Sequence, residues 1–397
     1  MSVTSWTVGA SGLGDEVNQS SAGELVDFGA IPPQAWEMLG ERAVEPNAFF
    51  QRVWSRAVSE NARGLSGARA LLVWDGPLRS RLIGLLPVVS AWRALKLPIP
   101  VLVAWEVYAP LTVPLLDRDC ADAAARGLLQ TAARSGAQAV LFPSLTTDCA
   151  SARALHRAAA EIGMVPRAVN AHARATLDAT QDCEAMLKQA LGAKKLKELR
   201  RQRHRLADRG EVTFAVASEP VDVAAALDGF LELEISGWKG KQGTALAKHA
   251  GDSEFIRRAI SGLAADGRAE VATLSAGGAP VAAGLLLRHN RRAYFFKIAY
   301  DEAAAKMSPG VQLSLEITRH LCADGSIDEV DSTAVANHPM IDHIWRGRMQ
   351  IADVLVPTTA GALQFGIFSN LIAMRSAARQ TARSIVRPIR ARLRRNR

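Results

Sequence analysis

The sequence is short of cysteine, and the four it has, Cys120, Cys149, Cys183 and Cys322, stand far apart with no C-x-x-C pair. That spacing supplies neither a zinc knuckle nor a disulfide framework, so no metal is expected and a reducing cytoplasm fits best. Long uninterrupted apolar runs are also missing. Residues 97–116 are strongly apolar with one charge, Glu106, but Pro98, Pro100, Pro110 and Pro114 break them. A membrane-crossing helix is poorly served by so many breaks, and buried strands are expected there instead. The first 24 residues hold neither a basic run nor an apolar core, which reads as a disordered leader and not a secretory signal. No Ser-His-Asp or Cys-His set stands in a motif context, so no covalent enzyme intermediate is expected. Acids are absent from 361–397, where nine arginines stand; the chain as a whole is formally +9, so the body before that tail is formally neutral.

What is present is a globular composition, 49% apolar over 397 residues, with room for two domains and an appendage. Its most telling stretch is 294–321. Residues 294–300 alternate and carry aromatic and β-branched side chains, the pattern of a strand ending at Asp301. After Ser308-Pro309-Gly310 the period changes: Gln312, Glu316, Arg319 and His320 share one arc of a helix while Val311, Leu313, Leu315, Ile317 and Leu321 fill the rest. Ser308 is expected to cap this helix and Pro309 to open it, leaving the amides of Gly310, Val311 and Gln312 at the positive dipole end. No acid follows until Glu316. Two readings stay open, an ordinary capped helix or a cradle for a phosphate or pyrophosphate.

The chain repeats itself. From residue 25 the pattern is two helices, three strand-like segments, a helix, a strand and a helix; from 221 the same order returns, at offsets near 200 residues. This predicts an α/β (mixed α+β) fold of two tandem units, each a mixed sheet flanked by helices. The expected divisions are a leader (1–24), a first unit (25–180), a basic linker helix (181–210), a second unit (211–358) and a basic amphipathic tail (359–397). At the helix start that matters, the first copy has Asp117, Asp119 and Asp122 where the second has no acid. Only the second copy is therefore expected to hold an anionic cofactor. The linker carries nine lysines and arginines between Lys188 and Arg209 without an interleaved aromatic residue. That composition suits a solvated face, cofactor phosphates or an acidic carrier, and it disfavours stacking on single-stranded nucleic acid.

The segments KKLKELRRQRHRLADRGEVTF (194–214), LELEISGWKGKQGTAL (231–246), FFKIAYDEAAAKMSPGVQLSLE (295–316) and EVDSTAVANHPMIDHIW (329–345) resemble the GNAT acyltransferase superfamily. The resemblance is to double-GNAT proteins of the cellulose-biosynthesis (CelD-like) type, with the FemAB aminoacyltransferases more distant. It covers about 193–356, with the first copy as a weaker half of the same architecture. It implies an acyltransferase moving an acyl group from acetyl-CoA or another acyl-CoA to an amine or hydroxyl, in exopolysaccharide or cell-envelope biosynthesis. The cofactor pyrophosphate would lie at Ser308, Pro309, Gly310, Val311 and Gln312, with Lys297 facing a phosphate. GNAT enzymes commonly carry a longer Q/R-x-x-G-x-G/A signature where this chain has only SPG. Aminoacyl-tRNA or acyl-carrier thioesters therefore stay open as donors, as does a non-catalytic scaffold.

Amine attack on a thioester needs a base, an oxyanion donor and a proton for the thiolate. Asp331 is the first candidate for the base, Glu234 a second carboxylate that can hold an ammonium acceptor, and Tyr300 a donor to the thiolate. Trp238 and Lys239, with Asp301 and His338, are candidates for binding a small-molecule or saccharide acceptor. In the tail, Arg375, Arg379, Arg383 and Arg387 recur every four residues beside Phe365, Ile367, Phe368, Leu371 and Ile372. Such a segment is either a disordered basic end or a helix lying peripherally on an anionic membrane surface.

Overall fold

The computed structural model describes residues 22–64, 67–361 and 363–378. Most of the expected leader and the arginine-rich end from 379 fall outside them, and 22–24 already belong to a strand. The first unit runs β1 (Ala22–Asp27), α1 (Pro33–Arg42), α2 (Arg52–Asn61), β2 (Arg69–Trp74), β3 (Leu82–Ser90), α3 (Ala91–Leu95), β4 (Val101–Ala104), β5 (Leu115–Leu116), α4 (Ala121–Arg134), β6 (Ala139–Thr146), α5 (Ala150–Ala160) and β7 (Arg167–Asp178). The long helix α6 (Cys183–Ala207) follows, broken at Gly192, whose φ of 70° suits glycine. The second unit runs β8 (Val212–Ala217), α7 (Pro220–Ser236), α8 (Trp238–Lys241), α9 (Ala250–Ala265), β9 (Ala269–Ala276), β10 (Ala279–His289), β11 (Arg292–Tyr300), α10 (Pro309–Ala323), β12 (Glu329–Asp331), α11 (Ile341–Ile344) and β13 (Gly347–Pro357). A helix over 363–378, α12, ends the described chain.

The two units share one topology. Each has an antiparallel run of strands that ends in a parallel pair, β4 with β6 and β11 with β12, with a crossover helix, α4 or α10, between its members. Their last strands change places. β13 lies beside β6 of the first unit, β7 lies beside β12 of the second, and β7 and β13 pair antiparallel with each other. The result is a single 13-stranded sheet in the order β1-β2-β3-β4-β6-β13-β7-β12-β11-β10-β9-β8, with β5 on the edge of β3. Neither unit completes its sheet with its own strands.

The core follows the same logic. Phe49 and Trp54 of the first unit meet Tyr294, Phe255 and Phe296 of the second edge-on or tilted, with ring centroids 4.9 to 5.7 Å apart. Beside them the buried His289 ring takes the Asn47 amide at 2.8 Å on Nδ1 and meets the Gly40 carbonyl at 2.9 Å through Nε2. Burial lowers its pKa to about 4. One expectation needs correction here. The apolar stretch 97–116 is strand only at 101–104 and 115–116; between them the chain leaves the sheet and returns to the same edge of β3, where Leu115 pairs with Leu85. Pro110 and Pro114 lie in the excursion, where no ladder donor is needed. No described helix is long and apolar enough to cross a membrane.

Candidate active site

β11 and β12 pair only over Arg292–Tyr294 and Glu329–Asp331, after which they diverge. Just past the last paired residue β11 carries a bulge: Leu285 faces Lys297 and Leu286 faces Phe295, so Phe296 is the extra residue. The bulge and the divergence leave carbonyls without a neighbouring strand, and side chains take them up. Thr333 Oγ1 donates to the Phe295 and Phe296 carbonyls at 2.8 and 3.4 Å, and Lys239 Nζ donates to that of Ile298 at 3.0 Å. Into the mouth of this opening points the first turn of α10. The resulting cavity, 630 Å³, is bounded by α7, α8, β11, α10 and the segment 332–341.

Pro309 occupies the first position of α10 and there is no acid in its first turn. The Gln312 amide already bonds the Ser308 carbonyl. Pro309 has no N–H, so Gly310 and Val311 supply the two first-turn donors without an intrahelical partner. A Cβ on Gly310 would sit 3.5 Å from Ile298 and Tyr300 and 3.6 Å from the Met340 sulfur, ordinary contact, so a larger side chain there would run into the cavity wall.

Of the candidates from sequence, the cavity brings together Glu234, Trp238, Lys239, Lys297, Tyr300, Ser308, Pro309, Gly310, Val311 and His338. Asp331, Asp301 and Gln312 are not on its wall. Asp331 is fully buried, its Oδ2 3.2 Å from Arg174 and its Oδ1 accepting the Thr333 amide at 2.7 Å. A carboxylate so engaged anchors the rim and is not placed to act as the base. Asp301 caps the turn after β11 through the Ala303 amide and pairs with Arg209 at 2.9 Å, so it holds the end of β11 to the segment that follows α6 and not an acceptor. The Gln312 side chain is buried and donates to the Leu199 carbonyl of α6 at 2.8 Å. Ser308 does not cap α10. Its backbone is left-handed, φ 51°, and its side chain makes no capping bond.

Glu234 is also more engaged than an ammonium-binding carboxylate would be. It is buried, with Lys239 at 3.0 Å, Lys297 at 3.6 Å and the Leu246 amide at 2.8 Å. Two lysines thus share one carboxylate on this wall. Lys297 thus faces the α7 side, across from the α10 amides. Burial lowers its pKa, against the pull of Glu234 and with the help of Lys239. His338 Nδ1 accepts the Met340 and Ile341 amides at 3.3 and 3.4 Å, which fixes the proton of the neutral ring on Nε2, and burial holds its pKa down. Trp238 is 44% exposed at the mouth.

Sequence reasoning missed the Phe296 bulge and Thr333. A bulge leaves no compositional mark, but Asp331-Ser332-Thr333 is the kind of Asp-initiated turn that side-chain acceptance two residues on predicts. Thr333 has φ 49°, costly for a β-branched residue, and is held there by Asp331 and by the bulge carbonyls. Among the described residues no group of three or more His, Cys, Asp or Glu is gathered as a metal site.

Residues 193–338 match the family model of the acetyltransferase (GNAT) domain. Most of the second unit is GNAT-like. No curated protein sequence matches the chain. Among solved structures it is similar to the C-terminal domain (DUF2156) of a protein described as a lysylphosphatidylglycerol synthetase of Agrobacterium fabrum, with a TM-score of 0.54 at 14% identity over 86% of this chain and 95% of that one. It is also similar to FemX, with a TM-score of 0.53 at 11% identity over 82% and 95%. At these identities the likeness is one of fold, and it extends over both units. The GNAT match starts just after the Gly192 break in α6 and ends at His338, so the first unit, β7 and β13 lie outside it.

Proposed function

We propose that the protein is an acyltransferase that moves an acyl group from acetyl-CoA or another acyl-CoA onto an amine or hydroxyl of a small-molecule or saccharide acceptor, in the making of a cell-envelope or exopolysaccharide component. The observation that carries this reading is the open cavity where β11 and β12 part, with the two free amides of α10 at one end and the Glu234, Lys239 and Lys297 cluster at the other. The Gly310 and Val311 amides, backed by the helix dipole and unopposed by any first-turn acid, suit the donor's diphosphate. In the transfer a C–N or C–O bond forms as the C–S bond breaks; the acceptor loses one proton and the departing thiolate gains one. Burial lowers the Lys297 pKa, and in its neutral form that amine can take the acceptor's proton. The Tyr300 hydroxyl and the Nε2–H of His338 are donors elsewhere on the cavity lining. Trp238 offers the acceptor an exposed face for a sugar ring or a hydrocarbon chain.

A second reading keeps the fold and changes the donor to an aminoacyl-tRNA, as the FemAB resemblance implies. It is favoured by the basic face of α6, where Lys188, Lys194, Lys197, Arg200 and Arg201 are exposed on a helix tied to α10 through Gln312 and Leu199. Calorimetric titration separates the two. Acetyl-CoA should bind saturably, and Gly310→Glu should weaken it by about a hundredfold, since the added carboxylate takes the amides' place. Salt-sensitive binding of tRNA without binding of acetyl-CoA would transfer the case to the second reading. Binding of neither would leave a scaffold that has kept the fold without turnover.

A further inference from the structure

The helix α12 docks by one face only. Phe365, Phe368 and Ile372 are buried against the first unit, the Arg167 guanidinium lies 5.9 Å over the Phe365 ring, and Arg375 Nε donates to the Leu95 carbonyl at 2.7 Å. On the other face Leu363, Ile367, Leu371 and Met374 are exposed, by 80, 51, 38 and 68%. At 100° per residue these four fall within one arc of roughly 80°, an unbroken apolar stripe along a helix already held in place. On α3, one turn before Leu95, Trp92 is exposed by 58%.

A stripe of this size on a docked helix requires an occupant. The chemistry around it says which. No acid stands anywhere from 361 to 397, and the sequence that follows the described helix, 379–397, adds eight arginines. Apolar side chains on a segment that has no acid and leads into a run of arginines complement a surface that is hydrocarbon beneath and negatively charged above. We propose that α12 seats the protein on an anionic phospholipid bilayer, with Leu363, Ile367, Leu371 and Met374 entering the headgroup boundary and the following arginines meeting lipid phosphates. The helix is bound to the body, so this seat holds the whole protein at the bilayer.

The test is cosedimentation of the full chain with vesicles of phosphatidylcholine alone and of phosphatidylcholine with phosphatidylglycerol. Binding is expected to the second only and to weaken as salt is raised, because counterions screen the arginines. The double variant Ile367→Glu with Leu371→Glu should lose at least about tenfold in partitioning, from the two apolar contacts removed. It should keep the wild-type thermal melt and acetyl-CoA titration, so a failure here is distinct from a failure of the acyltransferase reading. Trp92→Ala should lose a smaller factor. Equal binding to both vesicle types, no binding to either, or a double variant that binds as wild type would overturn the proposal. So would a wild-type dimer in sedimentation velocity that the double variant dissociates, since the stripe would then be covered by a second copy of the chain.

Discussion

Two helix starts of one ancestry of shape, Ala121–Ala123 of α4 and Pro309–Val311 of α10, follow the fourth strand of their units and face the gap where a parallel pair of strands parts. In the first unit the gap is closed. The excursion between β4 and β5 lies in it, with Leu111, Thr112 and Val113 buried, and Asn47 Nδ2 donating to the Leu111 and Val113 carbonyls. Thr112 Oγ1 donates to the Pro143 carbonyl of β6, closing the opening from inside. The acids at this end have partners in protein: Asp117 and Asp119 meet Arg42, and Asp122 meets Arg157. Burial pushes the Asp117 carboxyl up, but the Arg42 and Asp119 hydrogen bonds and the charges of Arg81 and Arg42 outweigh it and hold it low. In the second unit the link from β11 to α10 is the 3-10 helix Glu302–Met307, no acid stands in the first turn of α10, and the gap stays open. The same architecture thus serves once as filled core and once as a site, and the difference lies in one loop and one charge.

Arg174 joins the two gaps, and removing it tests whether they are mechanically tied. From β7 it donates to the Pro110 carbonyl of the plugging loop at 2.9 Å and pairs with Asp331 at the rim of the open cavity at 3.2 Å. Arg174→Met leaves a buried carboxylate unpaired and should cost about 3–5 kcal/mol in urea unfolding, whereas Arg174→Met with Asp331→Leu should recover most of it. A single variant costing under about 1 kcal/mol would show the gaps to be independent. The next effect lies at the seam between the units. The His289 ring is neutral in the folded protein down to about pH 4, while in the unfolded chain it titrates near 6.5. Above pH 6.5 both states hold it neutral. As pH falls below that value only the unfolded chain takes up the proton, so stability should drop by about 3 kcal/mol by pH 4. His289→Gln should flatten that part of the pH profile of unfolding; an unchanged profile would mean that the ring does not carry the acid sensitivity.

The repeated order of elements and the contrast between the helix starts were legible because amphipathic period, turn residues and charge are local properties. The helices at 33–42, 121–134, 220–236 and 309–323 and the strands at 269–276 and 279–289 follow from pattern alone. β7 was not legible. Its polar residues Asn170, His172 and Arg174 blur any alternation, and it lies mid-sheet only because β13 from the far end of the chain pairs with it. The exchange of last strands is likewise a long-range fact with no local mark. In the site, the free amides of α10 could be read from Pro309-Gly310 and the absent acid. The engagement of Asp331 by Arg174 could not, since the partners are separated by 157 positions and meet through the exchanged strand.

A reciprocal change at the helix starts sharpens the comparison further. Asp122 and Gly310 hold the second position of α4 and α10. Gly310→Asp imports the first unit's charge into the open cavity and should weaken acetyl-CoA binding by about 30-fold, the equivalent of roughly 2 kcal/mol for a charge at a partly buried helix start. Asp122→Gly should leave that titration unchanged, because the gap beside α4 is filled by the 105–114 loop. Tight binding that appears at a second site in Asp122→Gly would show that charge, and not the plug, had closed the first gap.

The smallest effect concerns a residue that both gaps share. After each parallel pair the chain takes one left-handed residue, Ser144 in the first unit with φ 51° and Thr333 in the second with φ 49°. The backbone amide of each is held by a carboxylate: Asp353 takes that of Ser144 at 3.0 Å and Asp331 that of Thr333 at 2.7 Å. A β-branched side chain crowds this conformation more than serine does, so the open gap carries the greater strain, offset by the bond from Thr333 Oγ1 to the bulged strand. Thr333→Ser keeps that hydroxyl and removes the branch; it should stabilise the protein by about 1 kcal/mol, and Ser144→Thr should destabilise it by a similar amount. Both are read from urea unfolding at neutral pH. If Thr333→Ser is instead destabilising, the threonine methyl packs in the rim more than the backbone resents it, and the open cavity is held by contact where the closed one is held by hydrogen bonds.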